Sequence, residues 1–182
     1  MTDINSTALR SATGSPGKTT PPAAPEPVWD LIELLFFAYR DFVGDADGVL
    51  NTLGFGRAHH RVLHFVNRNP GMKVAELLDI LNITKQSLGR VLKQLIDEGY
   101  IAQKEGATDR RQRLLSVTAR GETLARKLAD LQTERITRAL TSLGPHGHET
   151  ARRFLIAMLD APGRDDVMRL IDGAPRTARR NP

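Results

Sequence analysis

The sequence predicts a mainly helical α+β fold, in which helices carry the core and one short β-hairpin projects from it. Three observations predict it. Apolar residues recur every three or four positions over most of the chain, the spacing of one helical face. Two helical segments meet across only Asn82 and Ile83. Two β-prone runs, Tyr100 to Lys104 and Arg113 to Val117, flank the charged, Gly-containing loop Glu105 to Gln112. With 182 residues, 40% of them hydrophobic, the chain suits one core with tails better than two domains.

Residues 1 to 26 are rich in Ser, Thr, Pro, Gly and Ala, too little apolar surface to order themselves, and are expected to be a disordered tail. From there, 27 to 163 is expected to form one domain. Val28, Leu31, Leu35, Tyr39, Phe42, Ala46, Val49 and Leu53 mark one long helix. Gly44 and Gly48 weaken its middle by about 1 kcal/mol each relative to Ala, which makes a break there reasonable, and Gly54 is its stop. A second helix runs from about Arg57 to Asn69 and ends at Asn69-Pro70-Gly71. A short amphipathic helix, Lys73 to Leu81, leads into Thr84 to Glu98, whose Leu88, Val91, Leu92, Leu95 and Ile96 make one apolar stripe. This pair reads as a helix-turn-helix, and the hairpin after Gly99 reads as a wing. Thr118 is placed to cap a helix carrying Leu124, Leu128, Leu131, Ala139 and Leu143 as far as Gly144-Pro145. Phe154, Leu155, Met158 and Leu159 line a last long helix, after which 164 to 182 reads as a flexible tail.

The formal charge of +5 is spread over dispersed Arg and Lys. That suits a partner bearing many phosphates, although an anionic membrane would also fit. No apolar run approaches the roughly 20 residues that cross a bilayer, and the N-terminus lacks a signal-peptide layout, so a cytoplasmic protein is expected. The chain has no cysteine, which removes disulfides, thiolate metal sites and thiol redox chemistry.

The chemistry concentrates on the helix that starts at Thr84. Its side-chain oxygen suits an N-cap, and the helix N-terminus favours a phosphate. With the apolar stripe turned inward, the outward face carries Lys85, Gln86, Gly89, Arg90 and Lys93, donors matched to guanine, adenine and phosphate, with Gly89 permitting close approach. A charged face is by itself usually just solvated. Its position after a tight turn favours a DNA-reading role. In the wing, Asp109 can hold the guanidinium of Arg111 in a fixed fork, and an arginine at a loop tip fits a narrow minor groove. Arg110 and Arg113 would grip flanking phosphates. The alternative is that Asp109 and Arg111 merely pair across a surface turn.

The run Asp109-Arg110-Arg111-Gln112-Arg113-Leu114-Leu115-Ser116-Val117-Thr118-Ala119-Arg120-Gly121 resembles the wing motif of MarR regulators. Val74-Ala75-Glu76-Leu77-Leu78 and Thr84-Lys85-Gln86-Ser87-Leu88 are similar to the same family's helix-turn-helix, so Ser87 joins the DNA-binding candidates. The resemblance covers about Val28 to Leu159. It implies a winged helix-turn-helix over about 57 to 118, with dimerisation helices over about 28 to 53 and 119 to 161. The function it implies is a homodimeric transcriptional regulator on double-stranded DNA with a pseudo-palindromic operator. It further implies a crevice for a small aromatic or phenolic ligand, and nominates Tyr39, Arg40, His60 and His64 to line it.

His60 and His64, four apart on one helix, would permit a shared metal, but no carboxylate neighbours them and packing is the better reading. Asp45 and Asp47 before Gly48 lack the glutamate that a calcium loop needs. No nucleophile elbow or phosphate-cradling loop supports an enzyme, and nothing asks for a cofactor. A winged helix used to dock an acidic protein stays open, as do repressor against activator and ligand-responsive against ligand-independent action.

Overall fold

The buried hydrophobic side chains run from Val43 to Leu128 and converge on one core, with Leu50, Leu63, Leu77, Leu88, Leu95, Ile101, Leu115 and Leu128 almost wholly excluded from solvent. The computed structural model describes residues 26–106 and 111–173. In chain order the elements are α1 (Trp29–Asn51), α2 (Arg57–Arg68), β1 (Met72–Lys73), α3 (Val74–Leu81) and α4 (Lys85–Asp97). They continue through β2 (Ile101–Glu105), β3 (Arg113–Val117), α5 (Ala119–Ser142), α6 (Gly147–Ala157) and α7 (Ala161–Gly173). The tail expected over 1 to 26 falls, but for its last residue, outside the described residues.

Helix α1 runs unbroken through Gly44 and Gly48. Packing overrides propensity there. Ala46 and Leu50 are fully buried, and Asp45 and Asp47 on the same turns bind Arg135 of α5 and Arg57 of α2. Against those contacts, two glycines costing about 1 kcal/mol each lose.

The sheet has three antiparallel strands in the order β1-β3-β2, with Met72 and Gln103 both opposite Leu115. The sequence shows no sign of β1, because two residues are too short for any alternation. Gly71 N–H reaches Leu115 O at 2.8 Å and Met72 tucks into the core, so a turn becomes a strand only by pairing with β3.

Two side-chain caps frame the helix-turn-helix and wing. Thr84 Oγ1 accepts from Ser87 N–H at 3.2 Å, starting α4, and Gly99, at φ +74, ends it. Thr118 Oγ1 accepts from Gly121 N–H at 3.1 Å while its hydroxyl donates to Gly99 O at 2.7 Å. This joins the end of α4 to the start of α5. At Gly121 a Cβ would lie 2.0 Å from Tyr100 O, so only glycine lets α5 pass this close to β2's approach.

The C-terminal region corrects two expectations. The expected last long helix is two, α6 and α7, separated near Leu159 and Asp160, whose carbonyl at Leu159 accepts from Arg164 Nη2 at 2.7 Å. The stretch from 164, expected to be a flexible tail, is helical as far as Gly173 within α7, whose Pro162 sits in the first turn, where its missing N–H is harmless. Val167, Met168 and Ile171 of α7 fold over Ile136, Leu140 and Leu155, a pattern too short to stand out among the surrounding charges. Residues 174–182 lie outside the described residues.

Candidate nucleic-acid interface

The stripe of α4 divides as its periodicity requires, with Leu88, Leu92 and Leu95 buried and Thr84, Lys85, Gln86, Ser87, Gly89, Arg90 and Lys93 all exposed. Local bonds engage some of these groups. The Ser87 hydroxyl oxygen accepts from the Thr84 hydroxyl at 2.9 Å, and Lys93 pairs with Asp97 one turn on at 2.5 Å. Among the described residues, no hydrogen bond or ion pair ties down Lys85, Gln86 or Arg90. From behind, Arg120 of α5 lies 4.3 Å above the Tyr100 ring and donates to Glu98 O at 2.8 Å, holding the last turn of α4.

Helix α4 and the wing border one groove of about 760 Å³, with Lys73, Lys85, Lys93, Arg111 and Arg113 around an apolar floor that includes Leu78, Leu88 and Leu92. Five cationic side chains on one concave surface can meet a polyanion. Lys73 was not among the sequence candidates: it stands in β1, the strand that leaves no periodic signal. Arg113 pairs with Glu105 at 2.9 Å across the strand pair next to the wing loop, an exposed contact of at most about 1 kcal/mol that a phosphate could replace. Asp109 and Arg110 lie outside the described residues, and with them the Asp109–Arg111 fork. Arg111 is exposed at the edge of the groove.

A second cavity, of about 230 Å³, opens where α1, α2 and α5 meet, and Tyr39, His60 and His64 all line it. Arg40 does not. One helical step of about 100° turns it off the Tyr39 face, where it binds Asp41 at 2.8 Å and stacks on Phe37. Arg57 and Arg61 of α2 supply the positive charge instead. Arg57 donates to Asp47 through three bonds, at 3.4, 3.1 and 2.8 Å, and Arg61 donates to Leu81 O at 3.1 Å. Burial pushes the His60 imidazolium pKa below the ordinary histidine range, against the smaller opposing pull of Asp47. His64 is lowered by the same desolvation, then by the charges of His60 and Arg68. These rings therefore favour the neutral form, and the arginines are the cations of the cavity. No cluster of three or more metal-binding side chains occurs among the described residues.

A family model described as MarR family matches residues 53–112, which span α2 to the wing. The HTH-type transcriptional regulator PetP of Rhodobacter capsulatus is 43% identical over 141 residues, covering 78% of this chain and 85% of that relative. An HTH-type transcriptional repressor of Mycobacterium tuberculosis is 26% identical over 128 residues, 70% of this chain and 81% of its own. Among solved structures, NadR in complex with 4-hydroxyphenylacetate superposes with a TM-score of 0.62 at 20% identity, covering 78% of this chain and 100% of that one. The matched relative at 43% identity, the family model over the reading head and the shared winged fold agree: the chain belongs to the MarR family and is a DNA-binding transcriptional regulator.

Proposed function

We propose that the chain acts as a homodimer on a pseudo-palindromic operator, with α4 of each copy in a major groove and each wing at the adjacent minor groove. The carrying observation is that the exposed polar face of α4 and the basic edge of the wing border one groove. Lys85, Gln86, Arg90 and the Thr84–Ser87 turn are the reading and anchoring groups, with Gly89 allowing close approach. Lys93, Arg110 and Arg113 meet phosphates, and Arg111, oriented by Asp109, enters the minor groove. Its place of work is the cytoplasm, where operator DNA lies.

The cavity lined by Tyr39, His60 and His64 is the proposed site of a small aromatic or phenolic anion, held by Arg57 and Arg61. Support comes from those two cations at an aromatic-lined cavity, and from the phenolic acid named with NadR. Because α2 leads directly into the helix-turn-helix, an occupant could favour a spacing of the two heads that no longer fits the operator. A tenfold loss of affinity needs about 1.4 kcal/mol of coupling.

Selection from a randomised duplex library, followed by anisotropy titration with competitor DNA, tests the reading. Enrichment of a two-fold symmetric motif, with half-site centres about 34 to 36 Å apart, is expected. Arg111→Ala should bind it far more weakly while unfolding at the same temperature. Absence of any enriched motif would leave the basic face to an acidic protein partner. Adding 4-hydroxyphenylacetate or other aromatic acids should release the duplex. If none of them does, the chain is a constitutive binder.

A further inference from the structure

Behind the reading face, His59 makes the one hydrogen bond between α2 and α4 among the described residues, from its Nε2 to Gln94 Oε1 at 2.9 Å. Its other nitrogen, Nδ1, accepts from Gly56 N–H at 3.1 Å, at the free N-terminal turn of α2. Gln94 in turn donates from its Nε2 to Glu98 Oε1 at 2.9 Å. These three bonds admit one proton arrangement. A backbone N–H can only donate, so Nδ1 carries a lone pair; the ring proton then sits on Nε2, facing an amide oxygen that can only accept. The ring has little freedom to escape, since it stacks on Phe55 at 4.8 Å, and Phe55 packs edge-on against Tyr100.

We propose that His59 is a positioning residue for DNA reading: its neutral form sets α4 against α2, and its protonation releases that setting, so acid weakens operator binding. This rests on the reading of α4 as the DNA-contacting helix. Protonation places an Nδ1–H against the Gly56 N–H, donor against donor, and removes the side-chain partner of an α2 end amide. The strain passes to Gln94, which lies on α4 between Arg90 and Glu98. The charged and titratable groups around His59 are few. Glu98 of α4 stands one amide away, and Arg120 of α5 lies over the neighbouring Tyr100. On α2 itself His60 is adjacent, its charged form disfavoured by burial, and Arg57 is held by Asp47 of α1.

The sign of the effect separates it from bulk electrostatics. Acid makes the protein more positive, which alone would tighten its grip on phosphate. The test is affinity for the selected duplex from pH 7.5 to 5.5. Wild type should lose about tenfold as pH falls, the size of one lost helix cap. His59→Gln, which keeps an acceptor and a donor without titrating, should bind at pH 7.5 within about threefold of wild type and should not weaken as pH falls. The double variant His60→Gln, His64→Gln should keep the wild-type slope. Should His59→Gln misfold by circular dichroism, Gln94→Met cuts the link from the α4 side without touching the α2 cap, and it should shrink the slope. A flat wild-type profile overturns the proposal, as does an unchanged slope in His59→Gln or Gln94→Met. Nitrogen NMR of the imidazoles needs no DNA. It should show His59 as the Nε2–H form at neutral pH, and the opposite tautomer would overturn the proposal even if no duplex were ever enriched, which is the separate failure of the DNA reading.

Discussion

The reading head and the two chain ends contrast in how much of themselves they bury. From Val43 to Leu128 every element contributes to one core, closed by caps at Thr84 and Thr118. Among residues 26 to 40 no side chain is buried; Trp29 is 62% and Phe36 69% exposed, and α7 buries nothing. Among the described residues, all the large exposed hydrophobics lie either from Val28 to Tyr39 or from Ile136 to Ile171. A helix that is apolar around its circumference is a buried helix. The head is closed by its own side chains, whereas the ends leave apolar surface open, the surface that the proposed homodimer would cover.

That contrast can be broken most severely by truncation. Removing residues 145–182 should abolish the dimer, while deleting 1–25 should leave it intact; light scattering at micromolar concentration reads both. A truncated chain that stays dimeric would place the interface elsewhere. Next in size is Gly121→Ala, which forces a Cβ to 2.0 Å from a backbone oxygen that cannot yield without moving β2. We expect a loss of about 3 kcal/mol in urea unfolding, at the upper end of overpacking costs. Normal stability would mean that α5 can slide away from Tyr100.

A pair of leucines sharpens the comparison. Leu95→Ala opens a cavity in a fully closed core and should cost about 2 to 5 kcal/mol at any protein concentration. Leu35→Ala touches a side chain exposed in the single chain, so its cost should appear only as a weaker, concentration-dependent dimer. Equal, concentration-independent losses would erase the distinction between head and ends. The smallest effect is on pH. Burial lowers the pKa values of His60 and His64 in the folded chain, so the unfolded chain binds more protons below about 6.5. Their contribution to stability is complete above that pH and is lost as pH falls through the folded-state values. The urea midpoint should drop between pH 7.5 and 5.5, and less so in the His60→Gln, His64→Gln variant.

The head was legible because its signals are local and repeated. Thr84 and Thr118 cap where their spacing said, and Leu88, Leu92 and Leu95 face inward while Lys85, Gln86 and Arg90 face out. What the sequence hid depends on distant partners. Strand β1 exists only through Leu115, and α1 stays whole because Ala46, Asp45 and Asp47 have neighbours on α2 and α5. Arg40 was a cavity residue by resemblance to the family, but one helical step from Tyr39 aims it elsewhere, and Arg57 and Arg61 reach the cavity because α2 packs against α1. The His59–Gln94 link joins residues far apart in sequence and left no motif.

The outward face of α4 is the proposed base reader, and the duplex selection repeated with Gln86→Ala and Arg90→Ala decides it. Each variant should fold and dimerise as wild type does, yet lose its preference at particular positions, symmetric in the two half-sites, by about 1 to 3 kcal/mol per contacted base. If both variants select the wild-type motif with undiminished preference, α4 does not read the operator and the claim is wrong.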